Sequence, residues 1–293
     1  NTGNIGKVTS MAHPRHFPVS ARSARRRAGH PGFVSCVLLA TVLSSGCDDA
    51  KVAKVTHPSQ APSQAAGARS DFPAASAPAS SLRYLSFELG GANTGERVPL
   101  LIAIHGLGDT PENFSHWLRG LDIKLRLIVP QAPTSYGHGY SWFPYRADRT
   151  QHELAEGIAR SRDRLEQLVD ELTRRYQFPG KPAVLGFSQG GMLSFALAAH
   201  APERFSLVMP LGGLLPDELD PAPMTTPPSR PEVLAFHGTD DRIVPFADAT
   251  RATERLSALG YEIHLHSYPG VGHQIPPDMR TAVFAKLREW AAE

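Results

Sequence analysis

A serine between two glycines stands at the junction of two apolar runs. The pentapeptide Gly186-Phe187-Ser188-Gln189-Gly190 follows a short run at 183–185 and precedes a longer, helix-forming run at 192–199. A serine on a strand-to-helix turn can adopt a strained, left-handed backbone that exposes its hydroxyl, and flanking glycines leave room for the two arms of the turn. Ser188 is therefore predicted to be the nucleophile of a hydrolase.

Chemically capable side chains also follow three other runs of strand length. The runs at 98–104, 233–236 and 263–267 are followed by His105-Gly106-Leu107-Gly108-Asp109, by His237-Gly238-Thr239-Asp240-Asp241 and by Tyr268-Pro269-Gly270-Val271-Gly272-His273. In open sheets of α/β proteins, sites form at the carboxyl ends of strands. The chain order serine, aspartate, histidine, with an H-G loop upstream, is that of an α/β-hydrolase triad and differs from the orders of chymotrypsin and subtilisin.

Thirteen histidines compete for the role of general base. Imidazole titrates close enough to neutrality to take the proton of a serine hydroxyl and return it to a leaving group. His273 is the predicted base. His105 and His237 each begin an H-G turn, where imidazole more often makes a structural hydrogen bond, and His138 is a weaker candidate.

The other parts of the predicted machinery are an acid and two hydrogen-bond donors. The acid that orients the imidazole is Asp240 or Asp241, which spacing alone does not separate. Backbone amides suit an oxyanion because they are already fixed in place. The N–H of Gln189 directly follows the nucleophile, and a second amide must come from the early H-G loop, which Asp109 fixes as a hydrogen-bond acceptor.

Strand and helix patterns alternate from residue 82 onward. Strands are predicted at 84–89, 98–104, 125–129, 183–187, 206–210, 233–236 and 263–267, and helices at 111–119, 152–176, 189–200, 247–259 and 278–292. The alternation predicts an α/β fold, a mostly parallel central sheet with helices on both faces. No long insertion separates the strands, so we expect a small lid or none.

The first 81 residues differ in composition from the rest. The first 50 residues contain six basic residues, which precede an apolar run at 32–43, and two acids, which follow it. The end of the run is continued by the sequence Leu43-Ser44-Ser45-Gly46-Cys47. This pattern predicts a signal peptide over 1–47 with a lipobox-like end, Cys47 as a lipid anchor, and a location in the bacterial cell envelope or outside the cell. An ordinary secretion signal and an uncleaved anchor are the alternatives, and Met11 is a candidate start.

Residues 48–81 are rich in Ala, Ser and Pro. This composition predicts a disordered linker, which leaves 82–293 as the catalytic domain.

The predicted catalytic domain contains no cysteine, because Cys36 and Cys47 both precede it. Beyond residue 50 the chain carries 24 basic residues (30 minus 6) and 26 acidic ones (28 minus 2). This near neutrality argues against a nucleic-acid partner.

From about residue 98 to its end the chain resembles the phospholipase/carboxylesterase family of α/β-hydrolases, which includes acyl-protein thioesterases. The resemblance rests on H-G-L-G-D-T at 105–110, G-F-S-Q-G-G at 186–191, H-G-T-D-D-R-I-V-P at 237–245 and Gly272-His273. It implies Asp241 as the acid, the N–H of Leu107 as the second oxyanion donor, and Trp142, Phe143 and Tyr140 as residues of the substrate groove. The chain departs from the family at Gly212, where serine is usual, and in the aromatic and glycine-rich stretch at 136–140.

These features together predict a serine carboxylesterase that acts on small to medium-sized esters or thioesters through an acyl-enzyme on Ser188. No cofactor or metal is implied, since the histidines are scattered and H-E-x-x-H is absent from the sequence. A feruloyl or other aryl esterase, a polyester esterase, a peptidase and a dienelactone-hydrolase-like enzyme are the alternatives within the fold. A non-catalytic binding lipoprotein of the envelope is disfavoured, because a binding module needs none of the triad residues.

Overall fold

A seven-stranded sheet organises the part of the chain that the computed structural model describes, which is residues 82–144, 148–222 and 229–293. Cys47, the predicted signal peptide and the predicted linker lie outside these residues. The sheet strands are β1 (Tyr84–Leu89), β2 (Leu100–Ile104), β3 (Leu125–Pro130), β6 (Ala183–Phe187), β7 (Leu207–Leu211), β8 (Glu232–Gly238) and β9 (Ile263–Tyr268), and β4 (Thr134–Tyr136) and β5 (Gly139–Ser141) form a separate hairpin.

The strand order is β1-β3-β2-β6-β7-β8-β9. β1 runs antiparallel to β3, and the other neighbouring pairs are parallel. The predicted mostly parallel sheet is therefore confirmed. Because β2, β6, β8 and β9 run in one direction, their carboxyl ends meet at the same edge and bring the four loops singled out above together.

Helices cover both faces of this sheet, as predicted. They are α1 (Pro111–Leu118), α2 (Gln151–Arg175), α3 (Gln189–His200), α4 (Phe246–Ala258) and α5 (Pro277–Ala292). Successive strand residues point to opposite faces: Ile102 packs in the core cluster that contains side chains of α2, α3 and α4, and Leu101 packs in the cluster that contains those of α1 and α5. Each face is thus sealed by its own apolar core.

The ends of α2 show how local sequence sets an element. Thr150 and Glu153 form a reciprocal capping box, in which Thr150 Oγ1 accepts from the N–H of Glu153 at 3.1 Å and Glu153 Oε2 accepts from the N–H of Thr150 at 2.8 Å. The two pairs satisfy main-chain donors that a helix start leaves without partners. Arg174 and Arg175 lie in the last turn, where a positive charge is favoured by the helix dipole.

The hairpin of β4 and β5 was not predicted. β4 is exposed along its whole length. Because neither of its faces is buried, packing does not require the alternation of apolar and polar residues by which a strand is recognised. The turn of the hairpin contains Gly137 at φ +58, a conformation that favours glycine.

None of the described helices has the length and apolar character that a membrane span requires.

Candidate active site

Ser188 sits on a sharp turn between β6 and α3. Its φ of 58° and ψ of −115° make it the single non-glycine residue with a positive φ in the described part of the chain. A Cβ atom on Gly186 would lie 2.2 Å from the carbonyl oxygen of Gly190, and a Cβ on Gly190 would lie 2.0 Å from that of Ile104. Only glycine fits at either position, which explains the pentapeptide.

A continuous chain of hydrogen bonds joins three loops at this edge of the sheet. His273 Nε2 lies 2.9 Å from Ser188 Oγ, and His273 Nδ1 lies 2.6 Å from Asp241 Oδ2. With the Nδ1 proton donated to the carboxylate, Nε2 is left to accept from the serine hydroxyl. The structure therefore brings together the three residues that were predicted as nucleophile, base and acid.

The geometry also separates Asp241 from Asp240. Asp241 is buried, and its Oδ1 accepts from the N–H groups of Ile243 and Val244 at 2.9 Å each. Burial pushes the pKa of Asp241 upward, but hydrogen bonds from His273, Val244 and Ile243 outweigh it and hold the pKa below its ordinary value. Asp240 is exposed and bonds to the hydroxyl of Thr239.

The other candidate histidines occupy places that agree with structural roles. His237 is buried beside the acid: its Nε2 donates to the carbonyl oxygen of Val244 at 2.8 Å and lies 3.3 Å from Asp241 Oδ2. His105 donates through Nδ1 to the carbonyl oxygen of Gly106 and accepts through Nε2 from the N–H of Ala132. Burial lowers the pKa of both, so both are neutral at pH 7. His138 is exposed in the turn of the hairpin.

The two amides expected to serve an oxyanion are available. Within the described residues, the main-chain N–H groups of Leu107 and Gln189 have no hydrogen-bond partner. Both residues line the same cavity as Ser188 and His273. The predicted nucleophile, the predicted base and the two predicted donors therefore surround one space.

This cavity has a volume of about 520 Å³. Most of its lining side chains are apolar, namely Leu107, Phe143, Phe187, Met192, Ile243 and Val244. Two lining side chains carry a charge, Asp109 and Arg149. Four of the apolar residues were not predicted to line the site: Phe187, Met192, Ile243 and Val244. Their positions carried a signal, because each lies within four residues of Ser188 or Asp241.

The predicted groove residues divide into one that lines the cavity and two that do not. Phe143 lines it. Trp142 is only 3% exposed, and its indole N–H donates to the carbonyl oxygen of His105 at 2.9 Å. Tyr140 uses its main chain to pair with Gly108 and Asp109. Neither residue is among those that line the cavity, and their place in the substrate groove stays a prediction.

Among the described residues, no three His, Cys, Asp or Glu side chains are grouped as metal ligands. The fold and the hydrogen-bonded site define an α/β-hydrolase. A family model for phospholipases and carboxylesterases matches residues 92–291. The chain belongs to that family, and it is a serine ester hydrolase with general esterase or thioesterase activity.

Curated relatives and solved structures agree with this family. Acyl-protein thioesterase 1 of Gibberella zeae is 28% identical over 209 residues, which cover 64% of this chain and 89% of that protein. A probable carboxylesterase of Oryza sativa subsp. japonica is 27% identical and covers 59% and 70% respectively. The crystal structure of esterase PE8 superposes with a TM-score of 0.61 at 26% identity, covering 71% of this chain and 98% of that one.

The comparisons contradict the predicted location in the bacterial envelope. Acyl-protein thioesterases of the fungi Gibberella zeae, Aspergillus fumigatus and Emericella nidulans are among the relatives, and they point away from such a location. The family match begins at residue 92, so it includes none of the residues on which the location rested. A short apolar run after basic residues is a pattern of low specificity, because it depends on composition rather than on any particular contact.

Proposed function

We propose that this chain is a carboxylesterase that hydrolyses small to medium-sized carboxylic esters, or the corresponding thioesters, through an acyl-enzyme on Ser188. The observation that carries the proposal is the unbroken set of hydrogen bonds from Ser188 through His273 to Asp241 beside a cavity of about 520 Å³. Volumes in this range are those of small-molecule sites in proteins.

The first half of the reaction forms the acyl-enzyme. His273 Nε2 takes the proton of Ser188 Oγ as this oxygen attacks the carbonyl carbon of the ester. The negative charge that develops on the carbonyl oxygen is met by the N–H groups of Leu107 and Gln189, and loss of one such donor costs on the order of 10² to 10³ in rate. Protonated His273 then donates its Nε2 proton to the departing alcohol or thiol.

The second half releases the acid. A water molecule attacks the acyl carbon while His273 Nε2 accepts its proton, and the same two amides face the second oxyanion. Collapse of this intermediate breaks the bond to Ser188 Oγ, which recovers its proton from His273. Asp241 stays ionised throughout and keeps the imidazole in the tautomer that both halves require.

The lining of the cavity supports esters with an apolar acyl or alcohol group. Tyr136 and Ile243 are the large hydrophobic side chains that the described residues expose most, at 45% and 62%. Ile243 lines the cavity, and the ring of Tyr136 lies beside Gly108, which also lines it. The apolar surface therefore continues outward from the reacting atoms.

Aryl esters are a second candidate class. Phe143 and Phe187 both line the cavity, and the ring of Phe187 lies 4.8 Å from that of His273, centroid to centroid. Aromatic rings prefer offset or edge-on contacts at 4.5 to 7 Å, so an aryl group bound near the base would find suitable partners. A panel that compares ethyl esters with p-nitrophenyl and naphthyl esters of the same acyl length separates the two classes.

Substitution of the nucleophile tests the proposal. In Ser188→Ala, turnover of p-nitrophenyl acetate and butyrate should fall at least about 10³-fold, because no oxygen remains to carry the acyl group. A fluorophosphonate should label the wild type and fail to label the variant. The matched control is Ser194→Ala, a buried serine on the same helix whose hydroxyl bonds to the carbonyl oxygen of Gly190. Turnover by Ser188→Ala at the rate of the control would overturn the proposal.

A further inference from the structure

A short segment of main chain, residues 140–143, connects the two loops that carry the proposed oxyanion donors. We call it the bridging segment. On one side Tyr140 pairs with the early H-G loop: its carbonyl oxygen accepts from the N–H of Gly108 at 2.8 Å, and its N–H donates to the carbonyl oxygen of Asp109 at 3.0 Å. These bonds hold the loop directly after Leu107.

On the other side the bridging segment is held by the side chain of Gln189. Oε1 of Gln189 accepts from the N–H of Trp142 at 3.0 Å, and its Nε2 donates to the carbonyl oxygen of Phe143 at 3.0 Å. This side chain is buried, and both ends of its amide are satisfied by main-chain groups. The side chain is attached to the first residue of α3 and its amide bonds to the main chain of the bridging segment. Its length therefore fixes the separation between the start of α3 and that segment.

A third bond closes the arrangement. The indole N–H of Trp142 donates to the carbonyl oxygen of His105, two residues before Leu107. The loop of Leu107 is thus held before and after the donor, and Gln189 is held through its own side chain. An oxyanion donor that contributes only its N–H would not require a buried amide side chain with these partners.

We propose that the side chain of Gln189 is a positioning residue that sets the distance between the N–H groups of Gln189 and Leu107 through the bridging segment. The inference rests on the proposed function. Oxyanion donors must lie about 2.7 to 3.1 Å from the charged oxygen, and a misplacement of about 1 Å can cost on the order of 10² in rate. Gln189 therefore contributes twice, with its N–H at the oxyanion and with its side chain behind it.

Gln189→Met is the first test, because methionine keeps the length and apolar volume of the side chain and removes its hydrogen bonds to the bridging segment. We expect kcat for p-nitrophenyl butyrate to fall about 10- to 100-fold with KM within about threefold of wild type, the pattern of an interaction that acts in the transition state. The affinity of a trifluoromethyl ketone should fall by the same factor as kcat/KM. Ser194→Ala is the matched control and should keep kcat within about twofold.

Gln189→Glu is the second test and applies even where the methionine variant does not fold. A neutral carboxyl has one donor and one acceptor and can repeat the pattern of the amide, whereas a carboxylate repels the carbonyl oxygen of Phe143. Burial raises the pKa of such a carboxyl. The ratio of wild-type kcat to variant kcat should therefore shrink about tenfold or more between pH 8 and pH 5.5.

Two results would overturn the inference: a methionine variant with kcat within twofold of wild type, or a glutamate variant whose deficit is the same at both pH values. Neither result bears on the nucleophile. Failure of the proposed function appears elsewhere, as turnover retained by Ser188→Ala, so the two ideas fail separately.

Discussion

Asp241 is the residue on which two kinds of contact converge. One carboxylate oxygen accepts from His273, and the other accepts from two main-chain N–H groups of its own loop. The loop bonds fix the carboxylate before any substrate arrives, so the imidazole is oriented by a group that is itself held. An exposed aspartate such as Asp240 has no such support.

The charge of Asp241 can be removed with little change of shape. In Asp241→Asn, the amide cannot stabilise the imidazolium and can hold the wrong tautomer, so kcat should fall on the order of 10³- to 10⁴-fold. Steady-state kinetics on p-nitrophenyl butyrate measure this loss. An Asp240→Asn variant is the matched control and should keep kcat within about twofold, since its side chain bonds to Thr239 at the surface. Equal losses in the two variants would contradict the assignment.

The same substitution has a signature in stability. Since the folded-state pKa of Asp241 is below its ordinary value, its ionised form stabilises the fold above the unfolded-state pKa of about 3.9. That contribution is lost as the pH falls through the lower, folded-state pKa. The free energy of unfolding of wild type should therefore approach that of Asp241→Asn as the pH is lowered below about 4, which urea titrations at several pH values would detect.

At the scale of elements, the turn from β6 into α3 depends on how closely backbones approach. A methyl group at Gly190 would meet the carbonyl oxygen of Ile104 in the neighbouring strand at 2.0 Å, and neither backbone can move without disturbing the sheet. Gly190→Ala should therefore destabilise the fold by about 3 kcal/mol, the upper end of the cost of overpacking. Denaturant midpoints measure the change.

Gly120→Ala provides the comparison for that prediction. A Cβ atom at Gly120 meets nothing within 4 Å, so this variant should differ from wild type by no more than about 0.5 kcal/mol. If both alanine variants unfold at the same denaturant concentration, the close approach at Gly190 does not limit stability.

Local sequence determined some elements fully and others not at all. β6 and α3 begin and end where predicted, because an apolar run, a glycine-flanked serine and a second apolar run mark the limits of both. The hairpin left no comparable signal, since β4 faces solvent along its whole length. The proximity of Ser188, Asp241 and His273 was predictable because parallel strand ends converge. The direction of the Trp142 side chain was not, because it depends on the carbonyl oxygen of His105, 37 positions away in the sequence.

At the scale of the whole molecule, the sheet and its two core clusters draw on residues from Leu82 to Trp290. β1 is the element that the family match, which begins at residue 92, leaves out. It nevertheless pairs with β3 over six residue positions and buries Tyr84, Leu85, Phe87 and Leu89. The sheet therefore begins earlier in the chain than the family match.

Two truncated proteins test where the catalytic domain begins. A chain of residues 82–293 keeps all of the described core and the site, so it should unfold cooperatively and retain kcat/KM for p-nitrophenyl butyrate within about twofold of the full chain. A chain of residues 92–293 loses β1, leaves the outer edge of β3 unpaired and exposes apolar side chains of both cores, each worth about 1.5 to 3 kcal/mol when buried. Since a domain of this size is stable by only about 5 to 15 kcal/mol, the shorter chain should be largely unfolded or insoluble. Full activity and stability in the 92–293 protein would show that β1 is dispensable and would move the boundary to the limit of the family match.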